Sequence, residues 1–247
     1  MVIIVRNEES NIRDCLESVT WADEIIIVDS GSSDNTVNIC KEYTNKISVS
    51  DWLGFGRQKN KALSLASESW ILSIDADERV SSALQNEIQQ TINRNSTSAG
   101  FYIPRSSSFC GRIMRYSGWS PDYVLRLFRR DQGRFSDDMV HEKVLLQGSS
   151  GTLKHPLLHY PMKTPEQAIE KMNLYTSLYA ESRFNAGTNS SLGKAVVRGL
   201  WTFFRCYILQ RGFLDGAEGF MLAISNAEGT YYKYAKLAQL NRMERKK

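Results

Sequence analysis

Cysteine and histidine are scarce in this sequence. Cys15, Cys40, Cys110 and Cys206 stand far apart with no CxxC, and His141, His155 and His159 form no metal-ligand spacing with them. Neither a disulfide framework nor a zinc site is indicated, and a reducing cytosol is expected. Long apolar runs are missing too: nothing reaches the roughly eighteen residues of a membrane span, and "MVIIV" is too short for the apolar stretch of a signal peptide. If the chain meets a membrane, it is expected to do so from one side. With 16 glycines and 5 prolines in 247 residues, no internal repeat and no low-complexity linker, the chain reads as an ordinary globular protein.

Hydrophobic content of 42% is enough to build a sizeable core. The net charge of +4 is unevenly placed: Arg198 to Lys247 holds nine Lys/Arg against four Asp/Glu, or 9 − 4 = +5, so the rest sums to about −1. So modest a charge, beside an acidic cluster, argues against nucleic acid as a partner.

Four short apolar runs, "VIIV" (2–5), "EIIIV" (24–28), "KISV" (46–49) and "WILSI" (70–74), alternate with helical patterns. Continuous runs of this length suit parallel strands buried on both faces. Ser10 is placed to cap a helix with an apolar face of Ile12, Cys15, Leu16 and Val19; another helix follows Phe55, and one after Asp77 repeats Val80, Leu84 and Ile88. The reading is α/β, a doubly wound sheet flanked by helices. Beyond about residue 100, "GFYIP", "VLRLF" and "EKVLL" read as strands, separated by the loops "SSSFCGR" and "YSGWSPDY", which are expected to carry the acceptor side of a site. From Pro165 the pattern is helical, with Ala168, Met172, Tyr175 and Tyr179 on one face. Two regions are expected, 1–163 and a C-terminal helical extension, 164–247.

In open α/β sheets ligands bind beyond the carboxyl ends of the strands, and three polar clusters lie there. Arg6, Asn7 and Glu8 follow the first strand, Asp29 to Ser32 the second, and Asp75, Asp77 and Glu78 the fourth. Each has a plain structural reading: a helix start for "RNEES", a turn in which Asp34 or Ser33 caps the next helix for "VDSGSSDNT", a solvated acidic turn for "DADE". Their joint occurrence in this order points to function. The repulsion among the carboxylates in "DADE" suggests a divalent cation.

"VIIVRNEE", "IIIVDSGSSDNT" and "WILSIDADE" resemble, in order, the first strand, the nucleotide-recognition segment and the DxD motif of family 2 glycosyltransferases of the GT-A fold. The later "VLRLFRR" and "VHE" (140–142) resemble the subgroup of beta-1,4-glucosyltransferases that act on the lipopolysaccharide inner core. The resemblance implies a Rossmann-like, mostly parallel sheet and an inverting, metal-dependent transfer of glucose from UDP-glucose to a core heptose. The alternatives are another UDP-sugar and cell-surface glycan, or a binding module without turnover. It further implies that Asp29 contacts the uracil, that Arg6 lies against the base, and that Asp75 reaches ribose or metal. Asp77 is then the main ligand of Mg²⁺ or Mn²⁺. Arg57 and Asn60, in "GRQKNKAL", lie where donor contacts are expected, with Val5 and Glu8 lining the same edge. Val5 stands where a small polar residue is common and offers no side-chain hydrogen bond. The first strand starts at Met1 with almost no lead-in.

The chemistry asks for the same parts. Departure of a nucleoside diphosphate is helped by a hard cation held by carboxylates, and a second carboxylate must take the acceptor proton. Glu142 is the first candidate for that base, with Asp138 and Asp137 its rivals; its structural alternative is an ion pair with Arg126 or Arg129. His141 and His159 are placed either to approach phosphate or to pack. A phosphatase of the haloacid-dehalogenase type would want its DxD on an early strand, and a nucleotide-sugar pyrophosphorylase a Gly-rich, Arg-bearing first loop; neither is present. The segment 196–216 mixes Trp201, Phe203, Phe204, Tyr207 and Phe213 with Arg198, Arg205 and Arg211. It reads either as an amphipathic helix at a membrane interface or as an ordinary packed helix. The partners expected are a UDP-sugar donor, a lipid-linked glycan acceptor and the inner face of the inner membrane, with the protein cytoplasmic and peripheral.

Overall fold

The computed structural model describes residues 1–94, 97–137 and 142–244. The chain forms two compact units, Met1–Ser106 with Asp122–His159, and Ser107–Pro121 with Tyr160–Lys247.

The first unit begins β1 (Val2–Val5), α1 (Ile12–Glu17), β2 (Ile26–Asp29), α2 (Thr36–Lys41), β3 (Ile47–Val49), α3 (Phe55–Ser64) and β4 (Trp70–Asp75). β3, β2, β1 and β4 lie side by side, all parallel. Because successive strand residues point to opposite faces, Ile3 and Val5 join Ile12, Cys15, Leu16 and Ile74 in one core layer. Val2, Ile26 and Val28 join Ala62, Ala66 and Ile71 in the layer on the other face. Two buried faces explain why these strands read as unbroken apolar runs.

β1 lies between β2 and β4, and the chain leaves it in one direction for β2 and β3 and returns on its other side as β4. This reversal of strand order opens a crevice beyond the carboxyl ends of β1 and β4.

Past β4 come β5 (Glu78–Val80), α4 (Ser82–Asn93), β6 (Gly100–Phe109), β7 (Arg112–Ile113), β8 (Tyr123–Arg129), β9 (Gly133–Phe135), β10 (Val144–Leu146), β11 (Ser150–Thr152) and β12 (Leu157–Met162). Beyond β4 the sheet continues β8, β6, β12, β5, with β7 and β11 both paired to β6, and β9 with β10 as a separate hairpin. The pairs β4–β8, β6–β8 and β5–β12 are antiparallel, so the sheet is mixed, parallel in its first half and largely antiparallel in its second.

Two local expectations shift. The cap position of α1 is Asn11 and not Ser10. Val80 belongs to β5, and α4 starts after it with Ser81 accepting a hydrogen bond from Leu84 N at 3.2 Å.

In the second unit, α5 (Pro165–Asn185) is followed by α6 (Leu192–Phe204), a π-helical turn over Arg205–Leu209, a 3₁₀ turn over Gly212–Asp215 and α7 (Gly216–Glu244). Both α5 and α6 pack along α7. The buried face of α5 runs through Ala168, Thr176 and Ala180, whereas Tyr175, expected on it, is exposed. The Asp215 carboxylate, 2% exposed, accepts from the backbone N–H groups of Arg115 (3.1 Å) and Tyr116 (2.9 Å), which ties the 107–121 excursion to the turn before α7.

Candidate active site

The loops after β1 and β2 hold each other in place. Ser33 N donates to Asn7 Oδ1 (2.8 Å), Asn7 N to Ser32 Oγ (2.9 Å), Glu8 N to Thr36 Oγ1 (2.8 Å) and Asn35 N to Glu9 Oε2 (3.0 Å). Asn7 has φ 55°, a left-handed backbone that asparagine tolerates better than bulkier residues. Asp34 accepts from Thr36 N (3.1 Å) and Thr36 Oγ1 (2.6 Å), so it supports the start of α2, whose cap position is Asn35.

Asp29 is 2% exposed and accepts from Gly31 N (2.9 Å), Ser32 N (3.0 Å) and Ser32 Oγ. It shapes the turn after β2 from inside. Gln58 Nε2 donates to Ser30 Oγ (2.7 Å) behind that turn. Arg6 is exposed at the end of β1, while Val5 is buried in the core. Glu8 accepts from Asn11 Nδ2 at 2.9 Å. Arg57 is exposed in the first turn of α3. The amide of Asn60 is committed elsewhere: its Nδ2 donates to Phe135 O (2.9 Å) and its Oδ1 accepts from Phe135 N (2.8 Å), locking α3 to β9.

At the end of β4 the carboxylates are neutralised by basic side chains. Arg126 Nη2, on β8, bonds Asp75 Oδ2 and lies 2.7 Å from Glu78 Oε1. Glu78 is fully buried; its Oε2 accepts from Asp75 N (2.9 Å) and its Oε1 has Arg105 Nη1 at 3.5 Å. Lys59 Nζ, on α3 and only 3% exposed, lies 2.9 Å from Asp75 Oδ1 and 2.7 Å from Glu142 Oε1. Burial by itself pushes the Asp75 carboxyl up, but Arg126 and Lys59 outweigh it and hold the group well below the usual carboxylate range. Burial also works against the Arg126 cation, and Asp75 and Glu78 more than restore it. The mutual repulsion that a divalent cation was expected to relieve is thus relieved by Arg126, Arg105 and Lys59.

Asp77 occupies the turn between β4 and β5, with His159 Nε2, on β12, 3.6 Å from its Oδ2. Glu142 pairs with Lys59 and not with Arg126 or Arg129. Asp138 and His141 lie outside the described residues; Asp137 is exposed. Asp75 and Glu142 therefore share Lys59 at the end of β4, and Asp77 lies in the turn that follows with His159 beside it. Asp29, Arg6 and Glu8 sit on the neighbouring loops, and Asn60 is a structural clamp.

Sequence reading missed Lys59 and Gln58, and it named Arg126 only as a partner for Glu142, whereas Arg126 pairs with Asp75 and Glu78. A signal existed for Lys59: with Gly56 and Ala62 it falls at three-residue spacing on the buried face of α3. A cation at such a position needs a buried anion.

The donor chemistry fits a hard cation. Among the described residues no group of three or more His, Cys, Asp and Glu forms a metal cage, but Mg²⁺ is usually held by one or two carboxylates together with substrate phosphates. Asp77 offers one such carboxylate, and Asp75 would share with the cation oxygens that Lys59 and Arg126 already pair.

Separately, the second unit has an open cleft of about 540 Å³ lined by Arg112, Ile113, Arg115, Tyr116, Leu214 and Asp215.

The lipopolysaccharide core biosynthesis glycosyltransferase LpsC of Rhizobium meliloti is 30% identical over 96% of this chain and 90% of its own length. An uncharacterized glycosyltransferase of Rickettsia bellii is 29% identical over 97% of this chain and 85% of its own. In three dimensions the chain aligns with S. aureus TarS 1-349 in complex with UDP-GlcNAc at a TM-score of 0.49 and 15% identity, covering 99% of this chain and 90% of that one. Residues 1–150, more than half of the chain, match the family described as glycosyl transferase family 2. The chain belongs to glycosyl transferase family 2 and is a glycosyltransferase of GT-A-like fold with a C-terminal helical region.

Proposed function

We propose that this glycosyltransferase moves glucose from UDP-glucose to a heptose of the lipopolysaccharide inner core, with inversion, on the cytoplasmic side of the inner membrane. The observation that carries the reading is the carboxylate network at the end of β4, joined through Lys59 to Glu142. The name of the Rhizobium meliloti relative supports the lipopolysaccharide core as acceptor.

In this reading the loops after β1 and β2, with Asp29, Arg6 and Glu8, receive the nucleotide. Asp77 and Asp75 hold Mg²⁺ or Mn²⁺, which supplies positive charge to the departing diphosphate when bound. Glu142 takes the proton of the acceptor hydroxyl. Its Oε1 is fixed by Lys59, so the other oxygen, Oε2, is the one offered to the acceptor. Attack from the face opposite the leaving group inverts the anomeric centre.

The test is UDP release from a panel of UDP-sugars, with and without Mg²⁺ or Mn²⁺, using heptose-terminated lipopolysaccharide as acceptor. Release with UDP-glucose that requires both metal and acceptor supports the reading. Release with a different sugar or acceptor replaces the donor or acceptor named here. A chain that binds UDP but never releases it from any donor is a binding module instead.

A further inference from the structure

α6 presents its bulk to the wrong side for a helix of a packed bundle. Ala195 and Gly199 face inward, and a Cβ added at Gly199 would meet the Ala227 carbonyl oxygen and Tyr231 Cβ of α7, each at 3.3 Å. The large apolar residues face outward: Val197 and Leu200 are each 67% exposed, Trp201 56% and Phe204 45%, and the stripe runs on through Ile208 and Leu209. Positions 197, 200, 201, 204 and 208 follow the spacing of one helix face. A contiguous apolar stripe of this kind marks a surface that something covers.

Charge says what covers it. From Asn185 to Leu214 there is no acidic residue, whereas Lys194, Arg198, Arg205 and Arg211 are all exposed. Lys194 and Arg198 lie over the Tyr234 ring, 5.4 and 4.8 Å from its centre. A second copy of the chain seated on this face would bring four more cations against these four. An anionic lipid surface offers both complements at once: phosphates for the cations, and an acyl boundary for the aromatic and aliphatic side chains. Among the described residues no helix is long and apolar enough to cross a membrane.

We infer that the outward face of α6, continued through Leu209, docks on an anionic lipid bilayer, with Leu200 and Trp201 at the acyl boundary and Arg198 and Arg205 on headgroup phosphates. The inference deepens the reading of a lipid-linked acceptor and rests on that reading for its purpose.

Its test does not. The full chain is floated with vesicles of phosphatidylethanolamine and phosphatidylglycerol, and with vesicles of phosphatidylcholine alone, at low and high salt. It is expected to float with the anionic vesicles only, and less at high salt. Leu200→Glu/Trp201→Glu abolishes flotation, and Arg198→Gln/Arg205→Gln weakens it about thirty-fold, roughly five-fold for each charge. Thermal unfolding checks that each variant is folded, and Val197→Glu serves on the same stripe if the double variant is not. UDP release with a water-soluble heptoside acceptor is read in parallel and stays at the parent level in these variants, so loss of docking and loss of transferase activity are separate results. Failure of the parent to float with anionic vesicles overturns the inference. So does undiminished flotation of the glutamate variants, or a dimer in solution that those variants split.

Discussion

Lys59 Nζ stands 2.7 Å from Glu142 Oε1, and the same ammonium lies 2.9 Å from Asp75 Oδ1. One buried cation thus joins the carboxylate group at the end of β4 to the proposed base. Lys59 also lies 5.7 Å from the centre of the Phe135 ring, which closes the apolar side of its pocket.

Replacing Lys59 with methionine keeps most of the apolar stem of the side chain and removes the charge. Asp75 and Glu142 then lose their shared partner, which costs about 3 kcal/mol, as for other broken buried pairs. Transfer should fall by about a hundred-fold, because Glu142 is no longer held in one orientation. Kinetics and thermal unfolding of Lys59→Met check both effects. An unchanged kcat would show that the bridge is purely structural.

Asp75 and Asp77 should differ in what their loss costs the fold. Asp75→Asn takes one anionic partner each from Lys59, which keeps Glu142, and from Arg126, which keeps Glu78; about 2 kcal/mol of stability is expected to be lost, less than for a fully buried pair because Asp75 is 34% exposed. Asp77 is 18% exposed in the following turn, with His159 Nε2 3.6 Å from its Oδ2. Asp77→Asn should unfold within about 1 kcal/mol of the parent, the usual range for a partly exposed polar site, yet lose metal-dependent UDP release. Chelation of divalent ions should reproduce that loss in the parent protein.

The parts legible from sequence are those fixed by local pattern. β1, β2 and β4 announce themselves because strands buried on both faces must be mostly apolar, and α1 because Ile12, Cys15, Leu16 and Val19 repeat at helical spacing, whereas β3 is an edge strand that leaves Val49 exposed. The clusters after β1, β2 and β4 followed from that frame. The antiparallel half of the sheet did not, since which strand β8 or β12 pairs with depends on contacts far apart in sequence. For the same reason Arg126 and Lys59 went unrecognised as the partners of Asp75, 51 and 16 positions away. Asn60 misled in the other direction: a polar residue in a promising motif spends its amide on the Phe135 backbone.

Glu142→Gln keeps the shape of the proposed base and its hydrogen bond from Lys59 while removing its ability to take a proton. A loss of about 10²- to 10⁴-fold in kcat is expected, the span typical of a missing general base. UDP affinity, measured by calorimetry, should not change. Transfer by Glu142→Gln at the parent rate would pass the base role to Asp138 or Asp137.

The last expectation concerns acid. Glu24 accepts from Ser67 N (2.9 Å) and Ser67 Oγ (2.8 Å) and pairs with Lys46, closing the connection before β2 against the segment after α3. Burial raises the Glu24 carboxyl, but Lys46 and Ser67 outweigh burial and bring it down to about 2 from 4.5. A carboxyl whose folded value lies below its unfolded value stabilises the fold above the unfolded value, and that contribution disappears as pH falls toward the folded one. Between pH 4.5 and pH 2 the protein should therefore lose about 2–3 kcal/mol through this group. Denaturant titrations at several pH values should show Glu24→Gln less stable than the parent at neutral pH and the gap closing over that window. A gap that stays constant down to pH 2 would mean that the carboxylate charge contributes nothing and that only the shape of the side chain matters.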